Sequence, residues 1–131
     1  MQRGYPFDIA TQLKDPGAVT STAAAQVGGS NKILDLRAAR FEGTLVIDVS
    51  AIDFASTDET YQIEVGFSND AAFGSGNIVG LLIPVTGTGR IEQPFFNEKL
   101  GTVYRYMRLR HILGGTTPSI NYQAHAALKT C

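Results

Sequence analysis

Apolar and polar residues alternate with period two along much of this chain, and this pattern constrains the fold more than any other feature. The clearest case is segment 61–68, where four apolar residues alternate with Gln62, Glu64, Gly66 and Ser68. Such alternation places apolar side chains on one face of a β-strand and polar ones on the other. Helical periodicity is nearly absent. The sequence therefore predicts an all-β fold.

Further segments of this kind are separated by short runs of Gly, Asn, Asp, Ser and Pro, which are typical of turns. The predicted strands are Val19–Val27, Lys32–Ala38, Phe41–Asp53, Tyr61–Ser68, Ile78–Val85, Arg90–Phe96, Val103–Leu113 and Ser119–Ala127. We interpret 41–53 and 61–68 as a hairpin. About eight short strands predict a two-sheet antiparallel β-sandwich of jelly-roll type, formed by residues 18–131 as one domain. The strand order does not follow from periodicity.

The first part of the chain differs from the rest. Residues 1–17 show no sustained alternation and contain two Pro and two Gly, so we predict an irregular N-terminal arm. Tyr5 and Phe7 are isolated aromatics in this segment. Because aromatic rings gain from burial, they are candidate contacts with a partner.

Charge and composition exclude several partners. The 131 residues include 11 basic and 12 acidic side chains, a formal net charge of -1, so we expect neither direct nucleic-acid binding nor attraction to an anionic membrane. No apolar run approaches the ~18 residues of a membrane-spanning helix, and the amino end lacks the apolar core of a signal peptide. We expect a cytoplasmic product. Cys131 is the only cysteine, which excludes an intrachain disulfide.

Residues for catalysis or metal binding are sparse. His111 and His125 could meet on adjacent strands, but neither a cysteine pair nor a His-x-His motif supplies further ligands. We interpret both as polar strand residues at a surface or subunit contact. No Gly-x-Ser-x-Gly motif is present, and the carboxylates fall on turns and polar faces. The sequence thus predicts no cofactor, no metal, no catalytic residue and no enzyme activity.

The most unusual segment is 104–111, which interleaves aromatics with three arginines. Alternation divides the predicted strand into one face with Val103, Arg105, Met107 and Leu109, and a second with Tyr104, Tyr106, Arg108 and Arg110. Arginine and tyrosine are enriched at protein interfaces. A nucleic-acid platform would use the same residue types, because bases stack on aromatics beside arginines. The near-neutral charge of the chain favours a protein interface over such a platform, and a plain strand with one core face and one surface face is the remaining interpretation.

This same region resembles a known family. Segment 96–109, with its Asn97-Glu98, Gly101-Thr102 and Tyr104-Arg105-Tyr106 pattern, is similar to the small jelly-roll cement proteins that decorate the capsids of tailed bacteriophages. The segments 41–48, 58–61, 67–74 and 120–124 occur in the same order and at similar spacing as in that family. The resemblance covers roughly residues 31–125 as an ordered set of individually weak motifs.

The resemblance implies a jelly-roll homotrimer that binds the outside of a phage head, bridges subunits of the major capsid protein and stabilises their lattice. It implies a location on the outer capsid surface of the virion, after synthesis in the host cytoplasm. It supplies no catalytic residue. The candidate subunit or capsid contacts are Tyr5, Phe7, Tyr104, Arg105, Tyr106, Arg108 and Arg110.

Two other functions use the same fold. A carbohydrate-binding β-sandwich module of a phage tail or fibre is the main alternative, although sugar-binding faces favour Trp and this chain has none. A cupin-like enzyme would need clustered His and carboxylate ligands, which the sequence does not provide. Fold analogy by itself does not decide function.

Overall fold

The computed structural model describes residues 12–37, 40 and 42–128, and in this part of the chain all regular structure is β-strand. The strands are β1 (Gln12–Lys14), β2 (Ala18–Val19), β3 (Ala23–Ala24), β4 (Gln26–Val27), β5 (Ser30–Asn31), β6 (Leu34–Asp35), β7 (Glu42–Ile52), β8 (Thr60–Ser68), β9 (Ile78–Pro84), β10 (Gly89–Phe96), β11 (Glu98–Lys99), β12 (Thr102–Val103), β13 (Tyr106–Gly114) and β14 (Ile120–Leu128). Among these residues no helix could span a membrane.

Two antiparallel sheets form the body of the protein. Sheet 1 has the order β1-β14-β7-β10, with β2 also paired to β14, and sheet 2 has the order β3-β13-β8-β9, with β6 also paired to β13. Taking β1 with β2, and β3 with β6, as single interrupted strands gives these two sheets eight principal strands, with the β4–β5 and β11–β12 hairpins outside them. Their sheet orders are then 1-8-3-6 and 2-7-4-5, which is the jelly-roll arrangement. The predicted all-β jelly-roll sandwich is confirmed.

The predicted hairpin between segments 41–53 and 61–68 is wrong. Strand β7 pairs with β14 and β10 in sheet 1, whereas β8 pairs with β13 and β9 in sheet 2. The two strands are consecutive in the sequence but lie in opposite sheets. Each has a buried apolar face, and packing those faces against each other across the sandwich buries both at once.

Three predicted strands are interrupted where the chain leaves a sheet. Segment 19–27 begins in sheet 1 with β2, enters sheet 2 with β3, and continues into a small hairpin of β4 and β5. In the described part of segment 32–38, only β6 pairs in sheet 2. Segment 103–113 breaks at residues 104–105, between the β11–β12 hairpin and β13. A chain that changes sheets has to bend, and alternation alone does not reveal the bend.

The predicted arm is partly ordered into the sandwich. Gln12–Lys14 form the edge strand β1, paired with β14, and Leu13 is fully buried, so the irregular-arm prediction is wrong for these residues. Tyr5 and Phe7 lie outside the described residues.

The core lies between the sheets and takes side chains from both. Its members from the four central strands β7, β8, β13 and β14 are Leu45, Ile47, Val49, Tyr61, Ile63, Val65, Phe67, Met107, Leu109, Ile120, Tyr122, Ala124 and Ala126. Gly43 faces Phe95 across the β7–β10 pair, and a Cβ there would lie 2.9 Å from the Phe95 ring. The absent side chain at Gly43 thus makes room for the aromatic ring.

Candidate interaction surface

The arginine-rich segment predicted as a functional surface follows the predicted face pattern only from residue 106 onwards. Within β13, Met107 and Leu109 are fully buried in the core, and the partly exposed Tyr106, Arg108 and Arg110 lie on the outer face of sheet 2. The predicted division into two faces is wrong at the interrupted positions 104–105. There, Tyr104 packs against the core, with its ring centroid 6.4 Å from that of Phe67.

Arg105 projects outward and pairs with Asp35. Its Nε and one terminal nitrogen each donate to a different carboxylate oxygen of Asp35 at 2.9 Å. These hydrogen bonds, with another from the Arg37 amide, lower the pKa of Asp35 to about 2, and the pair raises the pKa of Arg105. The guanidinium also lies 5.2 Å from the Tyr106 ring centroid. Arg105 is therefore held in one position while 43% of its side chain stays exposed.

Arg108 rests on an aromatic ring. Its guanidinium carbon is 4.5 Å from the ring centroid of Phe73, which is buried although it lies in a loop. Gly66, the β8 partner of Arg108, lies next to Phe73, whose ring would stand 3.6 Å from a Cβ at that glycine, an ordinary contact distance. The loop is held by Asp70, whose carboxylate accepts hydrogen bonds from the amides of Ala72, Gly74 and Ser75. The cation–π contact fixes the guanidinium over the sheet.

Arg110 completes the row along β13. Its terminal nitrogen lies 3.9 Å from a Glu64 carboxylate oxygen on the neighbouring strand β8. We call Arg105, Tyr106, Arg108 and Arg110 the arginine face. Asp35 and Glu64 balance two of its three positive charges. Guanidinium groups that are held in place and partly neutralised by carboxylates are better suited to contact another protein than to bind a polyanion such as a nucleic acid.

A buried polar cluster at one edge of the sandwich was missed at the sequence level. Lys14 is only 3% exposed, and its ammonium donates to the carbonyls of Asp15 at 2.9 Å, Gly17 at 2.9 Å and Tyr122 at 2.8 Å. The ladder between β1 and β14 is irregular at this point, so the side chain supplies donors that backbone pairing does not. Burial lowers the pKa of Lys14.

His111 and Tyr122 lie next to Lys14, and we call these three residues the edge cluster. The Tyr122 hydroxyl lies 2.8 Å from His111 Nδ1, and the Lys14 ammonium lies 4.4 Å from the Tyr122 ring centroid. Burial and then the positive charges of Lys14 and Arg110 lower the pKa of His111 to about 4, while burial raises the pKa of Tyr122. The interpretation of His111 as a surface or contact residue is wrong, because its side chain points into the sandwich.

The edge cluster opens on a cavity of about 430 Å³. It is lined by Lys14, Asp15, Gly17, Ala18, Val19, Thr20, Ser21, Ala23, Ala24, Gln26, Gly29 and His111. His125 is not part of this site: it lies on β14 in sheet 1, whereas His111 lies on β13 in sheet 2, and burial lowers its pKa. In the part of the chain that the structure describes, no group of three His, Cys, Asp or Glu residues is arranged to hold a metal ion.

The sequence feature that belongs to the edge cluster is Lys14. A lysine in a sequence does not show whether its ammonium is buried or solvated. Its partners are carbonyls of Asp15, Gly17 and Tyr122, and backbone carbonyls carry no sequence signature. The three carbonyls meet at one ammonium only because the folded sheet places Tyr122 beside Lys14.

Known proteins offer little direct guidance. No protein-family model and no curated protein matches this sequence. Among solved structures, the chain is similar to part of one described as "Structure of infectious bursal disease virus Gt strain", with a TM-score of 0.36 and 14% sequence identity. That alignment covers 90% of this chain and 31% of the other, so this chain spans about a third of the protein it matches.

Proposed function

We propose that this protein is a non-enzymatic capsid cement protein that binds the outside of a tailed-phage head as a homotrimer and stabilises the lattice of the major capsid protein. The observation that carries the proposal is the arginine face. It places Tyr106, Arg108 and Arg105, which is paired with Asp35, side by side on one outer sheet surface, within the segment 96–109 that resembles the cement family.

The geometry agrees with a mechanical role. Arg105 and Arg108 are already ordered by Asp35 and Phe73, so little side-chain entropy is lost when a partner covers them. Arginines of this kind can donate to carboxylates or carbonyls of a neighbour while their flat faces stack on aromatic rings. A protein that binds only the matured lattice stabilises that lattice by mass action.

The proposal is tested first by the solution mass from light scattering. We expect a mass near three chains, and binding of the trimer to expanded heads of the source virus that were purified without this protein. Bound heads should resist heat and chelators better than bare heads. A monomer that leaves the heads unchanged would overturn the proposal and direct attention to glycan binding.

Arg108→Ala sharpens the test. We expect a weaker trimer with an unchanged β-sheet circular dichroism spectrum, since Arg108 is partly exposed on the outer face of sheet 2 and does not pack in the core between the sheets. An unchanged solution mass would remove Arg108 from the subunit contact.

A further inference from the structure

The β11–β12 hairpin presents one leucine to solvent in an unfavourable backbone conformation. Leu100 is 97% exposed, whereas the next most exposed large apolar residue in the described part of the chain, Leu82, is 51% exposed. Leu100 and Gly101 connect the paired residues Lys99 and Thr102, and their φ angles are 51° and 83°. These values match a two-residue type I′ turn, in which Asn, Asp or Gly is the usual first residue.

The same chain contains a matched turn without this feature. Gly28 and Gly29 connect β4 to β5 through two residues with φ angles of 63° and 84°. Glycine adopts this conformation without a steric penalty, whereas a leucine side chain does not. The left-handed turn geometry therefore does not explain why residue 100 is a leucine. An exposed apolar side chain held in a strained conformation is a reason to look for a function.

Polar contacts brace the base of this hairpin on several sides. The fully buried Asn97 donates from its side-chain amide to the Tyr104 carbonyl at 2.9 Å, and the Tyr104 amide donates to the Asn97 carbonyl at 2.8 Å. Glu98 is 3.2 Å from Arg40, and the Lys99 ammonium donates to the Val79 carbonyl at 3.1 Å. The hairpin thus holds its tip in a fixed position on the body of the protein.

We propose that Leu100 is an anchor that inserts into an apolar pocket of the major capsid protein when this protein binds the shell. This inference rests on the proposed function and names the surface that makes the contact. An apolar side chain that is fixed before binding loses little entropy when a partner covers it, and an apolar centre with a charged rim is the usual arrangement of a protein interface. Arg40, Glu98 and Lys99 supply that rim, and its mixed charges suit a rim of both signs on the shell.

The test is Leu100→Asn, which removes the apolar side chain and creates the Asn-Gly pair that a type I′ turn prefers. We expect the thermal midpoint of the isolated protein to stay the same or rise, and its affinity for expanded heads of the source virus to fall by about tenfold or more. Opposite changes in stability and affinity are the signature of an anchor. A lower midpoint would show that Leu100 packs within the free protein, and would overturn the inference.

Two control variants complete the experiment. Leu100→Met keeps an apolar side chain at the tip, so it should retain most of the binding. Thr88→Asn changes an exposed residue just before β10, at the opposite end of that strand from the hairpin, and should bind the heads like wild type. Equal binding of wild type and Leu100→Asn would overturn the anchor but leave the cement function standing. Failure of wild type to bind the heads would overturn both.

Discussion

The arginine face and the edge cluster each contain a cation beside an aromatic ring. The cation is partly exposed in the arginine face and buried in the edge cluster. Arg108 lies 4.5 Å from the Phe73 ring centroid on an outer sheet surface, and Lys14 lies 4.4 Å from the Tyr122 ring centroid inside the sandwich edge. Water solvates the first cation in part, whereas three backbone carbonyls replace water around the second. Substitutions in the exposed pair should change the stability little, so this pair is suited to binding. Substitutions in the buried pair should destabilise the fold.

Lys14→Met tests this difference where the largest effect is expected. The variant keeps most of the length of the side chain but leaves the carbonyls of Asp15, Gly17 and Tyr122 without their donor, so we expect a loss of roughly 3 kcal/mol or more in the free energy of unfolding. Urea unfolding at neutral pH measures it. Lys32→Met, at a partly exposed lysine, is the control and should change stability by less than about 0.5 kcal/mol. Equal stability of the two variants would contradict the structural role of Lys14.

Acid titration tests His111, the buried imidazole of the edge cluster. His111 has a pKa of about 4 in the folded state, below the ordinary value of 6.5, so the unfolded chain binds the proton more tightly. Its contribution to stability is complete above pH 6.5 and is lost as pH falls toward 4, by roughly 3 kcal/mol in total.

The matched control for the titration is the double variant His111→Leu with Tyr122→Phe, which removes both hydrogen-bonding groups from the interior together. The free energy of unfolding of wild type should fall relative to that of this variant between pH 7 and pH 4.5, because only wild type carries the buried imidazole. A difference independent of pH would show that His111 does not titrate as its burial indicates.

Arg108→Ala should have a smaller effect on the fold, about 0.5–1 kcal/mol, since it removes one partly exposed cation–π contact. Arg90→Ala is the matched control: Arg90 is half-exposed on sheet 1 and pairs with Asp48 at 2.9 Å. Denaturant unfolding and light scattering should show similar stability for both variants but a lower solution mass only for Arg108→Ala. A stability loss like that of Lys14→Met would mean that the arginine face is structural.

The smallest expected change concerns the pair of Arg105 and Asp35. Arg105→Gln removes the bidentate hydrogen bonds, so the pKa of Asp35 should rise from about 2 toward its ordinary value of 3.8. An NMR titration of the Asp35 carboxyl carbon follows this shift directly. In wild type the pair contributes to stability above pH 3.8, and this contribution is lost as pH falls through 2. A pKa unchanged by the substitution would show that Arg105 is not held by Asp35 in solution.

The long regular strands could be predicted from the sequence because their patterns depend only on neighbouring residues. The strands near 42–52, 60–68, 78–84, 89–96 and 120–128 agree with the predicted segments to within a residue or two. The short strands of the first third could not be placed. In β2 and β3 only two residues pair in each sheet before the chain bends, and two residues cannot establish a period.

The candidate surface was predicted in part. The outward positions of Tyr106, Arg108 and Arg110 follow from simple alternation along β13. The positions of Tyr104 and Arg105 depend on the break before this strand, where the Arg105 amide donates to the Asn69 side chain instead of continuing a ladder. A hydrogen bond between residues 36 positions apart has no local pattern in the sequence.

The sequence by itself determined that the chain forms antiparallel strands with one apolar face each, because side-chain alternation is a property of the extended backbone. Tertiary structure decided which sheet each strand joins, and it placed β7 opposite β8 rather than beside it. It also decided that Lys14 is buried, although an ammonium favours water, and that Leu100 is exposed, although a leucine side chain favours an apolar environment. Carbonyls from distant residues make the buried ammonium stable, and a braced hairpin keeps the leucine in solvent.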